Sequence, residues 1–446
     1  MDAAPSSPAA PVPDRTVPDR TVPTPEVRTR LVRLLDRDGR LSEDPVLSPY
    51  VRDVDAEQLR ELYRSMALAR RFDEEATHLQ RQGQLVLWAP MRGQEAAQVG
   101  SARALRPADH VFPTYREHAV AIERGVEPAE LLTVFRGHSA GGWRPSRHHM
   151  NVYSIVLGCQ VPHAVGYAMG IDLDRRTAEA EGREAEPAAA VVYFGDGTST
   201  QGEVHEGMVF AASYDAPVVF FVQNNQWAIS VPFSTQSRVP LAERAAGYGF
   251  EGIRVDGNDV LAVLAASRYA LEKARAGQGP VLVEAETYRL GAHTTADDPT
   301  KYRRREDEHH WSELDPLLRL EAHLREAHGT GDDFFADVAA DAQAFADQAR
   351  ALVLAMDPPV FEDFFDRPYA EPHSLVEEER AWYAAYQAGF EDTDTDTDDD
   401  AGPGSAPGAG PAGPDRGTQA SGLTVAADPV TGVPDARTAG TQEDLA

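Results

Sequence analysis

The residues of this chain best suited to chemistry are Asp196 and Asn225. Asp196 stands between Gly195 and Gly197, and after 26 intervening residues come Asn224 and Asn225. The Asp196 carboxylate is a hard anionic oxygen donor, and the Asn225 amide is a neutral one. With a backbone carbonyl just beyond, for which Trp227 is placed, they could fill one side of an Mg2+ octahedron at about 2.0–2.1 Å. The oxygens of an anion and a water would complete it. Gly195 and Gly197 let the backbone approach that anion and offer it N–H groups. A lone Gly-Asp-Gly is usually a turn; a second polar loop at this spacing, with a strand ahead of each, gives the triplet its weight.

The elements that position these loops can be read from the pattern. Ala188 to Phe194 is an apolar, β-branched and aromatic run closed by glycine, which predicts a buried parallel strand. A helix follows over about Gly202 to Tyr214, with Val204, Met208 and Ala211 or Ala212 on one face. A second apolar run, Val218 to Val222, leads into the asparagines. The expected fold is therefore α/β with a parallel sheet. Both polar loops fall at the carboxyl ends of strands, where such sheets bind ligands. Val281 to Tyr288 predicts a further buried strand, and it places Arg289 and His293 at the same edge.

Other candidates are weaker alone. Asp55 and Gln58 read as a capping box for a helix to about Gln82, with Leu59, Leu62, Met66, Ala69 and Phe72 buried and Gly83 as the stop. Glu95 opens the next helix. It is a candidate acid/base group, but a helix-start carboxylate or a subunit contact is the plainer reading. Arg116 could neutralise a phosphate, with Tyr115 donating beside it. His148 and His149, in a glycine-bearing loop, either face a substrate anion or are solvated. The small residues from Ala164 to Gly170 suit a closely packed helix, and Cys159 reads as a small buried hydrophobe. After a densely charged loop through Trp311, Asp315-Pro316 restarts helix. Helices are expected near residues 316–327, 333–356 and 375–389.

The chain has 446 residues and a formal net charge of −30, which argues against nucleic acid or an anionic membrane as partner. Its single cysteine excludes an internal disulfide or a cysteine zinc site. No apolar stretch approaches membrane-spanning length and no signal-peptide core is visible, so a soluble, cytoplasmic protein is expected. Residues 1–40, Pro-rich, and 390–446, acidic and then Gly-Pro-Ala-rich, lack apolar periodicity and are expected to be disordered tails around one domain at 41–389, with order setting in near Asp53.

From about Val51 to Phe390, the motifs RGQEAAQVGS, FPTYREH, QVPHAVGYAMG, GDGTSTQGEVHEG, QNNQWAIS, VDGNDV and TYRLGAHTTADDPTKYR occur in the order of a known family. The chain resembles the alpha subunits of the heterotetrameric, thiamine-diphosphate-dependent 2-oxo acid dehydrogenases. The resemblance implies that Tyr115 and Arg116 contact the diphosphate and that Gly195, Gly197 and Thr198 surround it. It implies Asp196, Asn225 and the Trp227 carbonyl as Mg2+ ligands. Leu157 would wedge under the bent cofactor, Ile155 would give the aminopyrimidine a backbone contact, and His293 would stand beside the reacting carbon. Some positions depart from the family. Gln223 stands where some members carry a phosphate-binding Arg. Ser154 and Gln160 match a potassium-binding loop of some members, but Cys159 replaces a hydroxyl ligand there, which leaves K+ open. Thr294 stands where some relatives carry a phosphorylated Ser, so no kinase control is inferred.

The implied activity is oxidative decarboxylation of a 2-oxo acid with acyl transfer to the lipoyl group of a partner acyltransferase. The glutamate required on the pyrimidine ring belongs, in the family, to a beta subunit, so an alpha2beta2 assembly is implied. The bacterial branched-chain (3-methyl-2-oxobutanoate) enzyme is the nearest type. The pyruvate enzyme is the alternative, and a non-catalytic scaffold that keeps the fold is the alternative of another class. From the residues themselves, Arg289 and Asp297 are expected to pair and hold His293 over the cofactor, in a loop that orders when diphosphate is bound and docks the lipoyl domain.

Overall fold

The computed structural model describes residues 27–138, 142–358, 363–366 and 368–391. Its centre is a six-stranded sheet of β1 (Val27–Val32), β2 (His110–Phe112), β3 (Ala190–Gly195), β4 (Val218–Asn224), β5 (Glu251–Asp256) and β6 (Val281–Glu286). The order is β1-β5-β6-β4-β3-β2 and every pairing is parallel. The expected α/β class is what the chain adopts.

Parallel strands need cover on both faces, and the alternation of side chains supplies it. Val191, Tyr193, Val219, Phe221, Val281 and Val283 join one apolar cluster. This cluster includes α1 (Ala56–Arg81), α2 (Glu95–Ala102) and α7 (Val260–Arg275). After α2 come α3 (His118–Glu123) and α4 (Pro128–Arg136), whose Ala119, Val120 and Leu131 belong to the same cluster. Ala190, Val192, Phe194, Val218, Phe220 and Val222 face the other way, against α5 (Gln160–Ala180) and α6 (Gly202–Tyr214). The Asp55/Gln58 capping box and the buried face of α1 form as expected, and Gly83 follows at φ +74°. On α5 the expected close packing is partial: Ala164 and Ala168 are buried, whereas a Cβ at Gly166 or Gly170 would meet open space.

Register brings the site together. Gly195 lies opposite Gln223, and Asn224 opposite Glu286. The polar segments after β3, β4 and β6 therefore emerge side by side, with the Thr114–Arg116 segment after β2 at the neighbouring edge.

Three expectations about organisation need correction. Residues 27–40 are not part of a structureless tail. β1 pairs with β5, Leu34 and Leu35 are buried, and their amides donate to Asp259 Oδ2 at 2.7 and 2.6 Å. The short run Val-Arg-Thr-Arg-Leu-Val completes the sheet edge, a tertiary gain that its Pro-rich neighbours hide. Order accordingly starts well before Asp53. The compact unit ends at His373, so the expected domain 41–389 is divided. Pro316–His328 (α8), capped by Asp315, and Asp332–Ala355 (α9) belong to it. The helix Ser374–Glu391 (α10) belongs to a separate unit, where Trp382 stacks on Tyr386 and Phe390 meets Tyr386 edge to face. The expected tails at 1–26 and 392–446 lie outside the described residues.

Candidate active site

A cleft of about 260 Å³ opens at the carboxyl ends of β2, β3, β4 and β6. Tyr115, Arg116, Leu157, Gly195, Asp196, Gly197, Thr198, Asn225, Trp227 and His293 all line it, as does Arg289. Sequence positions almost 180 apart thus share one hollow because parallel strands end together. A Cβ at Gly197 would fall 2.7 Å from Ala228 Cβ, so glycine is what lets the first loop approach the Trp227–Ala228 strand.

Asp196 is fully buried, and its two oxygens differ. Oδ2 accepts from Gln236 Nε2 at 2.9 Å, while Oδ1 has no hydrogen-bond partner among the described residues. Burial pushes the carboxyl up to about 6, against the Gln236 hydrogen bond. An orphaned buried carboxylate oxygen is costly, and a cation would relieve that cost. Asn225 donates to Gln94 Oε1 at 3.1 Å and accepts from the Trp227 amide at 3.2 Å, which leaves its oxygen a second lone pair. The Trp227 carbonyl accepts one long bond, 3.3 Å, from Arg289. Among the described residues no cluster of three or more His, Cys, Asp or Glu side chains could hold a metal. A cation here would have Asp196 as its one anionic protein ligand, with amide and carbonyl oxygens beside it. That donor set suits hard Mg2+ shared with an anion.

The other side of the cleft is cationic. Arg116 is buried, donates to the Pro90 carbonyl at 2.6 Å and the His293 carbonyl at 2.8 Å, and among the described residues has no carboxylate in ion-pair range. Arg289 is buried too. It donates to the carbonyls of Trp227 and Ile229 and to the Tyr302 hydroxyl, while its Nε is unpartnered. Burial, then the nearby Arg116, push Arg289 down to about 10. Two buried guanidiniums without carboxylates repel one another and fit a polyanion.

His293 sits between them. Its Nδ1 faces Arg116 Nη2 at 3.3 Å and Arg289 Nη1 at 3.5 Å. Both neighbours can only donate, so Nδ1 is the acceptor and the proton is assigned to Nε2, which faces the Tyr115 hydroxyl at 3.4 Å. Burial and the two guanidiniums hold the imidazole down to about 4, so it is neutral at pH 7.

The expected direct pair of Arg289 with Asp297 is replaced by a relay. Arg289 Nη2 donates to Tyr302 Oη at 2.9 Å, and Tyr302 donates to Asp297 Oδ2. The same Oδ2 accepts the His293 amide at 2.9 Å, so Asp297 closes the turn that carries His293 instead of meeting Arg289. The charged segment itself contains a turn at Pro299–Lys301 and a helix at Arg305–Ser312. Arg303, buried, ties it down by donating to the carbonyls of Arg289, Leu290 and Gly291.

Several candidates lie elsewhere. Ile155 is 65% exposed and does not line the cleft. His148 is buried beside the Arg124 carbonyl, 3.2 Å away, and His149 is exposed in a left-handed turn, so neither reaches a substrate anion in the cleft. Glu95 takes the plainer role, accepting from Arg70 Nε at 2.8 Å and from the Gly93 amide at 2.9 Å. Gln223 lines the cleft, but its amide is engaged by Glu117 and Gln98. Cys159 is half-buried, not buried. Gln160 accepts from the Gly158 amide and donates to the Tyr193 carbonyl. Sequence reasoning missed Gln236, Tyr302 and the Trp88–Gly93 segment, whose Pro90 carbonyl holds Arg116. Gln236 becomes visible only when the segment after Asn225 folds back over Asp196.

Residues 63–348 match the family described as "Dehydrogenase E1 component". The chain is 45% identical over 325 residues to the 3-methyl-2-oxobutanoate dehydrogenase subunit alpha of Mycobacterium tuberculosis, covering 72% of this chain and 85% of that protein. It is 39% identical over 296 residues to the pyruvate dehydrogenase E1 component subunit alpha of Staphylococcus aureus, covering 66% and 76%. The Bacillus subtilis protein of the same name is 37% identical over 329 residues, covering 73% and 86%. A parallel sheet whose strand ends gather a carboxylate, an amide and two unneutralised arginines, matched over these lengths, makes this chain a member of the dehydrogenase E1 component family, which implies thiamine diphosphate for the cleft.

Proposed function

We propose that this chain is the alpha subunit of a branched-chain 2-oxo acid dehydrogenase that works with a beta subunit in an alpha2beta2 assembly and acylates the lipoyl group of an acyltransferase partner. One observation carries the reading of the cleft. It holds an unpartnered buried carboxylate oxygen, on Asp196, opposite two buried arginines that lack carboxylates. A metal diphosphate satisfies both at once. The substrate class rests on the 45% identity to the mycobacterial protein.

When bound, thiamine diphosphate supplies the nucleophilic carbon and the electron sink for decarboxylation. The chain's own residues do the rest. Asp196, Asn225 and the Trp227 carbonyl would hold Mg2+. Arg116, Tyr115 and the Gly195–Thr198 turn would hold the diphosphate, with Leu157 as an apolar prop. His293 keeps its proton on Nε2, which faces the Tyr115 hydroxyl at the cleft wall, and would donate it to a group bound there. Negative charge at Arg116 and Arg289 would offset the guanidiniums' share of the depression of the imidazole, though not the larger share that burial imposes. A potassium ion near Ser154 and Gln160 would compete with the Gly158 amide, which Gln160 Oε1 already accepts. A cytoplasmic setting fits a chain in which no described helix is long and apolar enough to cross a membrane.

The reading predicts that the chain alone, with thiamine diphosphate and Mg2+, does not decarboxylate 2-oxo acids, and that mixing it with its beta partner restores turnover. With ferricyanide as acceptor, 3-methyl-2-oxobutanoate should be preferred to pyruvate by about tenfold or more, the range that small differences in an apolar pocket provide. Turnover by this chain alone would overturn the half-site reading, and a preference for pyruvate would move the protein to the second activity.

A further inference from the structure

Trp88–Gly93, between α1 and α2, is neither helix nor strand, yet each of its carbonyls accepts a hydrogen bond. The Trp88 carbonyl accepts the Thr295 amide at 2.9 Å, and the Trp88 amide donates to Thr295 Oγ1 at 3.0 Å. The Ala89 carbonyl faces His118 Nε2 at 2.9 Å, and the Pro90 carbonyl accepts Arg116 Nη1 at 2.6 Å. The Arg92 carbonyl accepts the Leu290 amide at 3.0 Å, and the Gly93 carbonyl accepts from Thr287 Oγ1. At Gly93, φ +95°, any Cβ would strike the Tyr288 carbonyl oxygen. This strap therefore underlies both the diphosphate arginine and the segment that carries Arg289 and His293.

The Gly93 end of the strap rests on Glu95, and its Trp88–Met91 stretch meets the Asp73 carboxylate. Asp73 of α1 is 2% exposed, and its Oδ1 accepts Trp88 Nε1 and the Met91 amide, each at 2.9 Å. Among the described residues it forms no ion pair with any Lys, Arg or His. A buried carboxylate without a cation is a costly way to fill space, so what the position gains is the pair of strap hydrogen bonds. Burial pushes this carboxyl up to about 7 against those two bonds, so a neutral side chain of the same shape is tolerated there.

We propose that Asp73 is a positioning residue for the cleft: by holding both ends of Trp88–Met91 it sets the strap carbonyls on which Arg116 and the His293 segment rest. The proposal rests on reading the cleft as the thiamine-diphosphate site.

The test uses the full chain assembled with its beta partner, titrated calorimetrically with thiamine diphosphate and Mg2+. Asp73→Ala should weaken binding by about tenfold or more, whereas Asp73→Asn, which keeps the acceptor oxygen, should stay within about threefold of the parent protein. In an Arg116→Ala background Asp73→Ala should cost less than about twofold more, because the strap acts through Arg116. Additive losses, or unchanged affinity in Asp73→Ala, would overturn the proposal. Where Asp73→Ala fails to assemble, Trp88→Phe keeps the ring over His118 but removes one donor. It should weaken binding about threefold or more, and parental affinity would overturn the idea. A parent protein that binds no cofactor, or an Arg116→Ala variant that binds it normally, refutes the site reading instead. The strap is then judged by hydrogen–deuterium exchange without ligand. Exchange over residues 287–297 should speed up in Asp73→Ala and not in Asp73→Asn, and unchanged exchange would sink the proposal.

Discussion

Asp196→Ala lowers the affinity of the assembled protein for thiamine diphosphate at physiological Mg2+ by about 100-fold or more, roughly 2.7 kcal/mol. The substitution removes the one anionic protein ligand of the proposed metal set, and Mg2+ gives up water reluctantly. Asn225→Ala should act in the same direction but less, since an amide oxygen carries no net charge. A second readout separates lost function from lost folding. Asp196 Oδ1 is buried without a hydrogen-bond partner in the free chain, so removing the carboxylate relieves a desolvation cost. The ligand-free Asp196→Ala protein should therefore melt at or above the parent temperature while its cofactor affinity falls. Such opposed signs are the mark of a site whose groups are arranged for an absent ligand. Unchanged affinity in titration calorimetry would mean that the metal site is elsewhere.

Asp297→Ala should separate two half-reactions. Decarboxylation with an artificial acceptor should stay within about threefold of the parent, while acyl transfer to a lipoyl domain falls more than about tenfold. Asp297 Oδ2 accepts the His293 amide and the Tyr302 hydroxyl, and Tyr302 in turn accepts from Arg289. Losing the carboxylate releases the turn on which His293 rides but leaves Arg116 anchored on the Pro90 carbonyl. The diphosphate cradle should survive while the lipoyl-facing surface loosens. Tyr302→Phe breaks the same relay at its middle and should reproduce part of the loss. Limited proteolysis provides the structural arm: cofactor should protect residues 289–311 in the parent and fail to protect them in Asp297→Ala. Normal lipoyl acylation in the variant, or protection without cofactor in the parent, would rule the loop mechanism out.

What could be read from the sequence followed from how local the signal was. The β3 and β4 runs and the two loops behind them needed only apolar patterning and glycine, and they stand where those signals placed them. Arg116 and His293 were nameable because each follows a strand or a recognisable motif. Their contact, at 3.3 Å, depends on strand order, which no local pattern encodes. β1 escaped because a six-residue edge strand beside Pro-rich chain gains its stability from β5 and from Asp259, not from itself. The Arg289–Asp297 pairing failed for a similar reason. Spacing showed that the two could meet but not that a tyrosine hydroxyl stood between them and that a backbone amide needed the carboxylate more. His148 and His149 show the converse, side chains with suitable chemistry that the fold turns away from the cleft.

The central claim is that one cleft holds a metal between Asp196 and a diphosphate lying on Arg116. A crystal structure of the assembled protein grown with thiamine diphosphate and Mn2+ in place of Mg2+ tests it most directly, because anomalous scattering locates the metal without reference to any assumed ligand. The account predicts one metal per chain, coordinated by the Asp196 and Asn225 side-chain oxygens and the Trp227 carbonyl, with the diphosphate against Arg116 and Tyr115. A metal peak away from Asp196, or a diphosphate bound out of reach of Arg116, would contradict it.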